Sequence, residues 1–215
     1  MNAKKRLTPA EQIAAEKAES ERIEKAIKTF LTHDKLKVYL DTNILIAASS
    51  DRPVQRDAIH QFCLQNDTNI SDTVYWEFLR NCNVETYRKK RIILENILGD
   101  SKRIHRDDEV VEKHFAQLVF LYLYVLRDEP KKQPDRNIND LWIAAACISK
   151  CDYLLTCEHE KSRDFLPELF DDESFDLGRN IRVHLKTFKR KEAGEFWKAM
   201  VDSKVLELKF EDHWT

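Results

Sequence analysis

The most constraining feature of this chain is a repeated alternation of very short apolar runs with longer segments of helical periodicity. Leu36-Lys37-Val38-Tyr39-Leu40 and Tyr153-Leu154-Leu155-Thr156 are too short for helices and too apolar for surface loops, so they read as buried strands, and Asn69-Ile70-Ser71 as a minimal strand. Parallel strands need a crossover of a dozen or more residues, and helical segments fill the intervals here. The expected fold is therefore an α/β sandwich with a mostly parallel central sheet and helices on both faces.

The remaining elements follow from local signals. Thr8-Pro9-Ala10-Glu11 combines a capping Thr, Pro at the first helical position and a capping-box Glu, which predicts a helical extension over 9–32. Helices are expected from Ile44 to Ala47, Val54 to Gln65, Thr73 to Asn81, Val84 to Leu98 (closed by Gly99), Val110 to Arg127 and Ile138 to Lys150. Lys102 to His105 and Ile181 to Leu185 read as short strands, and Asp128 to Asn137, with Pro130 and Pro134, as a loop. Glu168 to Asp176 is acidic and reads as loose chain. Lys189-Arg190-Lys191 opens an amphipathic helix, and Val205 to Phe210 alternates like an edge strand. The expected division is a helical N-terminal extension over 1–34, an α/β core over 35–188 and a C-terminal helix and edge-strand addition over 189–215.

Composition excludes several functions. The chain has only 3 glycines, Gly99, Gly178 and Gly194, so no G-x-G-x-x-G or G-x-x-x-x-G-K cradle can bring backbone amides to a phosphate. Dinucleotide-binding and Walker-type readings fall away, and any phosphate chemistry must rely on side chains, metals or helix ends. Lys plus Arg number 36 against 38 Asp plus Glu, a balance that argues against broad coating of nucleic acid. The 5 cysteines are an odd number in a long chain and fit reduced thiols. No apolar leader follows Met1, and the longest apolar run, Leu118 to Leu126, is far short of the roughly 20 residues of a membrane span. The expected location is cytoplasmic, with no membrane partner.

Four acids occupy comparable places in this layout. Asp41 follows the first strand, Glu77 lies on the helix after Ile70-Ser71, Asp140 sits in the first turn of its helix, and Glu158 follows the strand ending at Thr156. In an open parallel α/β sheet, ligands bind at the carboxyl ends of the strands, where all four acids can converge. Gathered carboxylates repel one another and need hard cations with oxygen ligands, Mg²⁺ or Mn²⁺. Such ions, paired about 3.5–4 Å apart, activate water and stabilise the leaving oxygen of an in-line attack on a phosphodiester.

The local context of these acids is more specific than their number. Val38-Tyr39-Leu40-Asp41-Thr42-Asn43-Ile44-Leu45-Ile46 resembles the opening of PIN-domain ribonucleases, an apolar strand followed by D-T-N. Ser71-Asp72-Thr73-Val74-Tyr75-Trp76-Glu77-Phe78-Leu79-Arg80 is similar to the second motif of that family, and Asn139-Asp140-Leu141-Trp142-Ile143-Ala144-Ala145-Ala146 to the third. Leu154-Leu155-Thr156-Cys157-Glu158, with Asp164-Phe165 following, resembles the fourth, which usually reads T-x-D with D-F shortly after. Order and spacing agree across residues 36–165.

The resemblance implies a metal-dependent endoribonuclease that leaves a 5′-phosphate and a 3′-hydroxyl, often the toxin of a toxin–antitoxin pair (the VapC-like group). It makes Asp41, Glu77, Asp140 and Glu158 the expected ligands of Mg²⁺ or Mn²⁺, with Asp164 as the alternative fourth acid, since Glu158 stands where Asp is usual. Thr42, Asn43, Ser71 and Thr156 are the expected supporting residues, and Arg80 and Arg163 the first candidates to hold RNA phosphates. RNA, an antitoxin protein and a second copy of the chain are the partners so implied. A non-catalytic RNA-binding or scaffold module and a DNA- or structure-specific nuclease stand as alternatives.

Plainer readings exist for each residue. Asp41 and Asp140 begin helices and could simply cap them, Asn43 could form a turn, and Ser71 could end a strand. Trp76 and Phe78, on either side of Glu77, suggest a partly covered helix face. Cys147, Cys151, Cys157 and His159 fit no standard zinc spacing. Arg88-Lys89-Lys90-Arg91, Lys131-Lys132 with Arg136, and Lys186 with Lys189-Arg190-Lys191 read as solvated faces or as local strips for phosphate.

Overall fold

The computed structural model describes residues 8–99, 103–106, 108–125, 138–157, 170–178 and 181–202. In chain order the elements are α1 (Pro9–Phe30), β1 (Lys37–Leu40), α2 (Thr42–Ala48), α3 (Pro53–Gln65), β2 (Asp67–Ser71), α4 (Asp72–Leu79), α5 (Val84–Leu98), β3 (Ile104–His105), α6 (Glu109–Val125), α7 (Ile138–Lys150), β4 (Tyr153–Thr156), β5 (Phe170–Asp176), β6 (Arg182–Phe188) and α8 (Arg190–Asp202). The expected loop over 128–137 and the expected edge strand over 205–210 lie outside the described residues.

The strands form a six-stranded sheet in the order β3-β2-β1-β4-β6-β5. β1 pairs parallel with β2 and with β4, and β2 pairs parallel with β3. β6 runs antiparallel to β4 and to β5. The sheet is thus the expected mostly parallel α/β arrangement, extended at one side by an antiparallel hairpin. From β1 the chain moves outward through β2 to β3, then returns to the other side of β1 as β4. The strand order therefore reverses between β1 and β4, the place where an open α/β sheet leaves a crevice at its carboxyl edge.

β1 is central in this block, and Val38, Tyr39 and Leu40 are fully buried, as a strand covered on both faces requires. α7 supplies a nearly continuous buried run from Leu141 to Ile148. Its small Ala144, Ala145 and Ala146 are all buried, which lets the helix lie close to its neighbours.

The acidic run over Phe170–Asp176 is the point at which the sequence reading needs correction: it is strand β5, not loose chain. Seven residues pair with β6, and Phe170 and Phe175 are buried. Each acid between them has a partner: Asp171 pairs with Lys189 at 3.0 Å, and Asp172 and Glu173 lie 2.8 Å from His184 and 3.1 Å from His33. Their density hides the apolar anchors from a reading based on hydropathy.

The second half of α1 packs on this hairpin. Phe30 is fully buried, stacks on Phe62 of α3 at 4.3 Å between centroids, and meets Phe175 at 5.3 Å. Burying such a side chain contributes about 1.5–3 kcal/mol. Arg22 reaches Asp176 at 2.7 Å, whereas residues 8–22 of the helix are exposed.

Candidate functional site

β1 ends at Leu40, and the ladder continues one step further through the Asp41 amide, which donates to the Leu155 carbonyl at 2.9 Å. Asp41 is thus held at the reversal point of the sheet, opposite the end of β4. It occupies the N-cap position of α2, yet its side chain makes no capping hydrogen bond. Instead Asp41 Oδ2 accepts from Asn43 Nδ2 at 2.6 Å and from Thr156 Oγ1 at 2.6 Å. The helix-capping explanation of Asp41 therefore fails, and the turn-forming explanation of Asn43 is incomplete.

Asn43 is oriented without ambiguity. The Cys157 backbone N–H, which can only donate, lies 2.7 Å from Asn43 Oδ1, so the amide nitrogen must face the carboxylate. Asn43 Nδ2 also lies 3.0 Å from Thr156 Oγ1, closing a triangle of Asp41, Asn43 and Thr156. Thr156 is buried, and burial makes these bonds costly to leave unmade.

Glu77 joins the same rim from α4. Ser71 is fully buried at the end of β2, and its Oγ accepts the Val74 amide at 3.1 Å, capping the helix that carries Glu77. Ser71 thus serves the site by fixing this helix rather than by touching an acid. Thr42 Oγ1 donates to Glu77 Oε2 at 2.5 Å, and Asn139 Nδ2 donates to Glu77 Oε1. The two oxygens of Glu77 are therefore gripped by the immediate sequence neighbours of Asp41 and of Asp140. Three segments remote in sequence, after β1, within α4 and at the start of α7, meet at one carboxylate. Asp140 itself is exposed in the first turn of α7.

Asn139 was quoted in the motif but given no role in the sequence reading. Its only signal was its position directly before the third acid. Thr42, by contrast, bonds Glu77 rather than its neighbour Asp41. Glu158, Asp164 and Arg163 lie outside the described residues. Arg80, at the C-terminal cap of α4, is exposed and pairs with no carboxylate among the described residues.

The donor set suits a hard cation. Both bonds to Glu77 come from neutral groups, and among the described residues no Lys or Arg pairs with it. Oxygen ligands of this kind match Mg²⁺ or Mn²⁺. Among the described residues, no three His, Cys, Asp or Glu side chains come close enough together to hold an ion.

The cysteines offer no competing chemistry. Burial, reinforced by the charge of Asp41, pushes the Cys157 thiol up to about 12. Burial likewise holds Cys151 at about 12 and Cys147 well above the usual thiol range. All three are neutral at physiological pH and are neither nucleophiles nor ready thiolate ligands.

Much of the basic sequence is spent internally. Lys89 pairs with Glu85 at 2.8 Å and Arg91 with Glu95 at 2.9 Å, and Lys90 donates to the Phe78 carbonyl while lying 4.7 Å over that ring. Lys189 pairs with Asp171, Arg190 donates to the Ile148 carbonyl at 2.8 Å, and Lys186 is buried. Lys131, Lys132 and Arg136 lie outside the described residues. Among the described residues, no helix is long and apolar enough to cross a membrane.

A family model described as "PIN domain" matches residues 38–163, more than half of the chain. No curated protein and no solved structure matches it. The matched span covers β1 through β4 and contains Asp41, Glu77, Asp140 and every hydrogen bond of the site just described.

Proposed function

This chain belongs to the PIN-domain family, whose members are generally nucleases that use divalent metal ions, and on that premise we propose that it is a metal-dependent endoribonuclease. The observation that carries the reading is the double grip on Glu77. A hydroxyl beside Asp41 and an amide beside Asp140 hold one carboxylate, which ties together the three segments that carry the acids.

Asp41, Glu77 and Asp140 would hold the ion, with Glu158 or Asp164 as the fourth acid. When bound, Mg²⁺ or Mn²⁺ lowers the pKa of water and stabilises charge on the leaving oxygen. The chain supplies the rest. Asn43 and Thr156 hold Asp41 in one orientation, so the site is preorganised rather than assembled during the reaction. Arg80, exposed one helical turn beyond Glu77, holds a phosphate of the strand beside the acids. The carboxylates offer proton-accepting oxygens for the attacking water.

The toxin role and an antitoxin partner belong to this proposal through the resemblance to the VapC-like group, and a small protein that blocks cleavage on co-expression would support them. The test of the activity itself is purified protein with Mn²⁺ on mixed single-stranded RNAs, beside Asp41→Asn, Asp140→Asn and an EDTA arm. Cleavage by the wild type, lost in both variants and in EDTA, is expected; equal cleavage by all three proteins refutes the assignment. A DNA competitor that suppresses RNA cleavage would move the substrate from RNA to DNA.

A second reading, a non-catalytic RNA-binding module, draws on one observation: the described residues gather no three metal-binding side chains. It predicts RNA binding that survives EDTA, without turnover.

A further inference from the structure

The face of α4 that carries Glu77 also exposes a large aromatic ring. Trp76 is 67% exposed, whereas Phe78 is buried. An indole left in water beside a carboxylate rim is an unusual use of the largest side chain, because its burial would contribute more than that of most residues. The ring is held rather than loose: Tyr75 meets it edge to face, with centroids 5.5 Å apart and an interplanar angle of 78°.

Helical spacing places Arg80 four residues beyond Trp76 and three beyond Glu77, so Arg80 adjoins Trp76 on one side and Glu77 on the other. Arg80 is exposed and, among the described residues, unpaired with any acid, unlike Lys89 and Arg91 on the next helix. Two more exposed apolar side chains flank the acids. Ile46 is 58% exposed one turn beyond Thr42, and Ile138 is 45% exposed directly before Asn139. The rim thus combines an aromatic face, aliphatic shoulders and a free cation next to carboxylates.

We propose that Trp76 is a stacking platform for an unpaired base of a single-stranded RNA, with Arg80 holding the adjoining phosphate, and that this pair selects single strands for the site. The inference rests on the nuclease reading for its location and deepens it by naming the side chains that hold the strand. A π-face paired with a cation is complementary to a nucleobase and its phosphate, and base–aromatic stacking tolerates any sequence. A base within a duplex is already stacked on its neighbours and cannot use the ring.

The test is binding of a short labelled oligo-uridine strand in EDTA, measured by anisotropy on the Asp41→Asn background, so that binding is read without turnover. Trp76→Ala is expected to weaken the strand about 5- to 150-fold, with Trp76→Phe retaining most of the affinity. Quenching of tryptophan emission on RNA addition should disappear in Trp76→Ala, and a blunt RNA duplex should bind both proteins equally. Trp76 is surface-exposed, so an unchanged thermal transition is expected and excludes misfolding as the cause. Equal strand affinity of Trp76→Ala and its parent, no strand binding by the parent, or loss of a concentration-dependent dimer as the sole effect overturns the proposal. Turnover with Mn²⁺ is a separate readout: Trp76-dependent binding without turnover removes the nuclease reading and keeps this one, and turnover with Trp76-independent binding does the reverse.

Discussion

Asn43→Ala removes the residue on which the Asp41 triangle depends, and its consequences can be worked from the contacts. The side chain donates to Asp41 at 2.6 Å, approaches Thr156 Oγ1 at 3.0 Å and accepts from the Cys157 amide at 2.7 Å. A hydrogen bond to a charged group contributes about 1.5–3 kcal/mol and a neutral one about 0.5–1.5 kcal/mol. Asn43 is half-buried, so water replaces part of what is lost, and a net destabilisation of about 2–4 kcal/mol is expected. For a chain of this size that lowers Tm by roughly 5–15 °C. Because Asn43 orients the carboxylate proposed to bind the metal, cleavage should also fall about 10- to 100-fold, even at temperatures where the variant is folded. Denaturant unfolding followed by circular dichroism gives the first number and Mn²⁺-dependent turnover the second. Thr156→Val removes the other donor to Asp41, at 2.6 Å, and the double variant should show a coupling of at least about 0.5 kcal/mol. A loss below about 0.5 kcal/mol for Asn43→Ala, with additive behaviour in the double variant, refutes the claim that the triangle is one unit.

Other expectations concern the rest of the molecule. The hydrogen bond from Arg22 holds the Asp176 carboxyl below its usual range, with the Gly178 amide contributing. A lowered folded-state pKa stabilises above the ordinary carboxylate value and is lost as pH falls through the folded one, so the Tm gap between wild type and Arg22→Ala should be constant above about pH 5 and close on further acidification. Gly178 has φ +82°, and a Cβ there would lie 2.3 Å from Ile23 Cδ1 of α1, whereas at Gly99, with φ +67°, the space is open. Both Ala variants carry the left-handed backbone cost of about 1–2 kcal/mol. Gly178→Ala should lose about 1 kcal/mol more in thermal unfolding, a difference that Ile23→Ala should erase. Lys89→Ala and Arg91→Ala should leave the salt dependence of RNA binding unchanged, because those cations are paired within α5; a slope smaller by about 0.7 would identify a lost phosphate contact.

The parallel half of the sheet was legible because β1 and β4 are short and apolar and the chain between its strands shows clear helical periodicity. Val38 and Leu40 carry no polar side-chain group that could compete with burial, and Tyr39 only a single hydroxyl. β5 was illegible because Asp171, Asp172 and Glu173 mask Phe170 and Phe175, and its pairing with β6 is antiparallel and non-local. At the site, Asp41 and Glu77 could be found from their places after strands. Which neighbour bonds which acid could not: Thr42 turns to Glu77, and Asn139 crosses from α7 to the same carboxylate. Those choices depend on how three helices dock, which no local pattern encodes. The partly covered face suggested for Glu77 by Trp76 and Phe78 agrees with its half-buried side chain, although Phe78 alone supplies the buried ring.

The central claim is that three acids from separate segments act as one centre for a divalent ion. Calorimetric titration of Mn²⁺ into the wild type, Asp41→Asn, Glu77→Gln and Asp140→Asn tests it directly. The account predicts a binding site weakened at least about tenfold in each variant, with all three proteins still folded. Wild-type affinity in all three variants would contradict it.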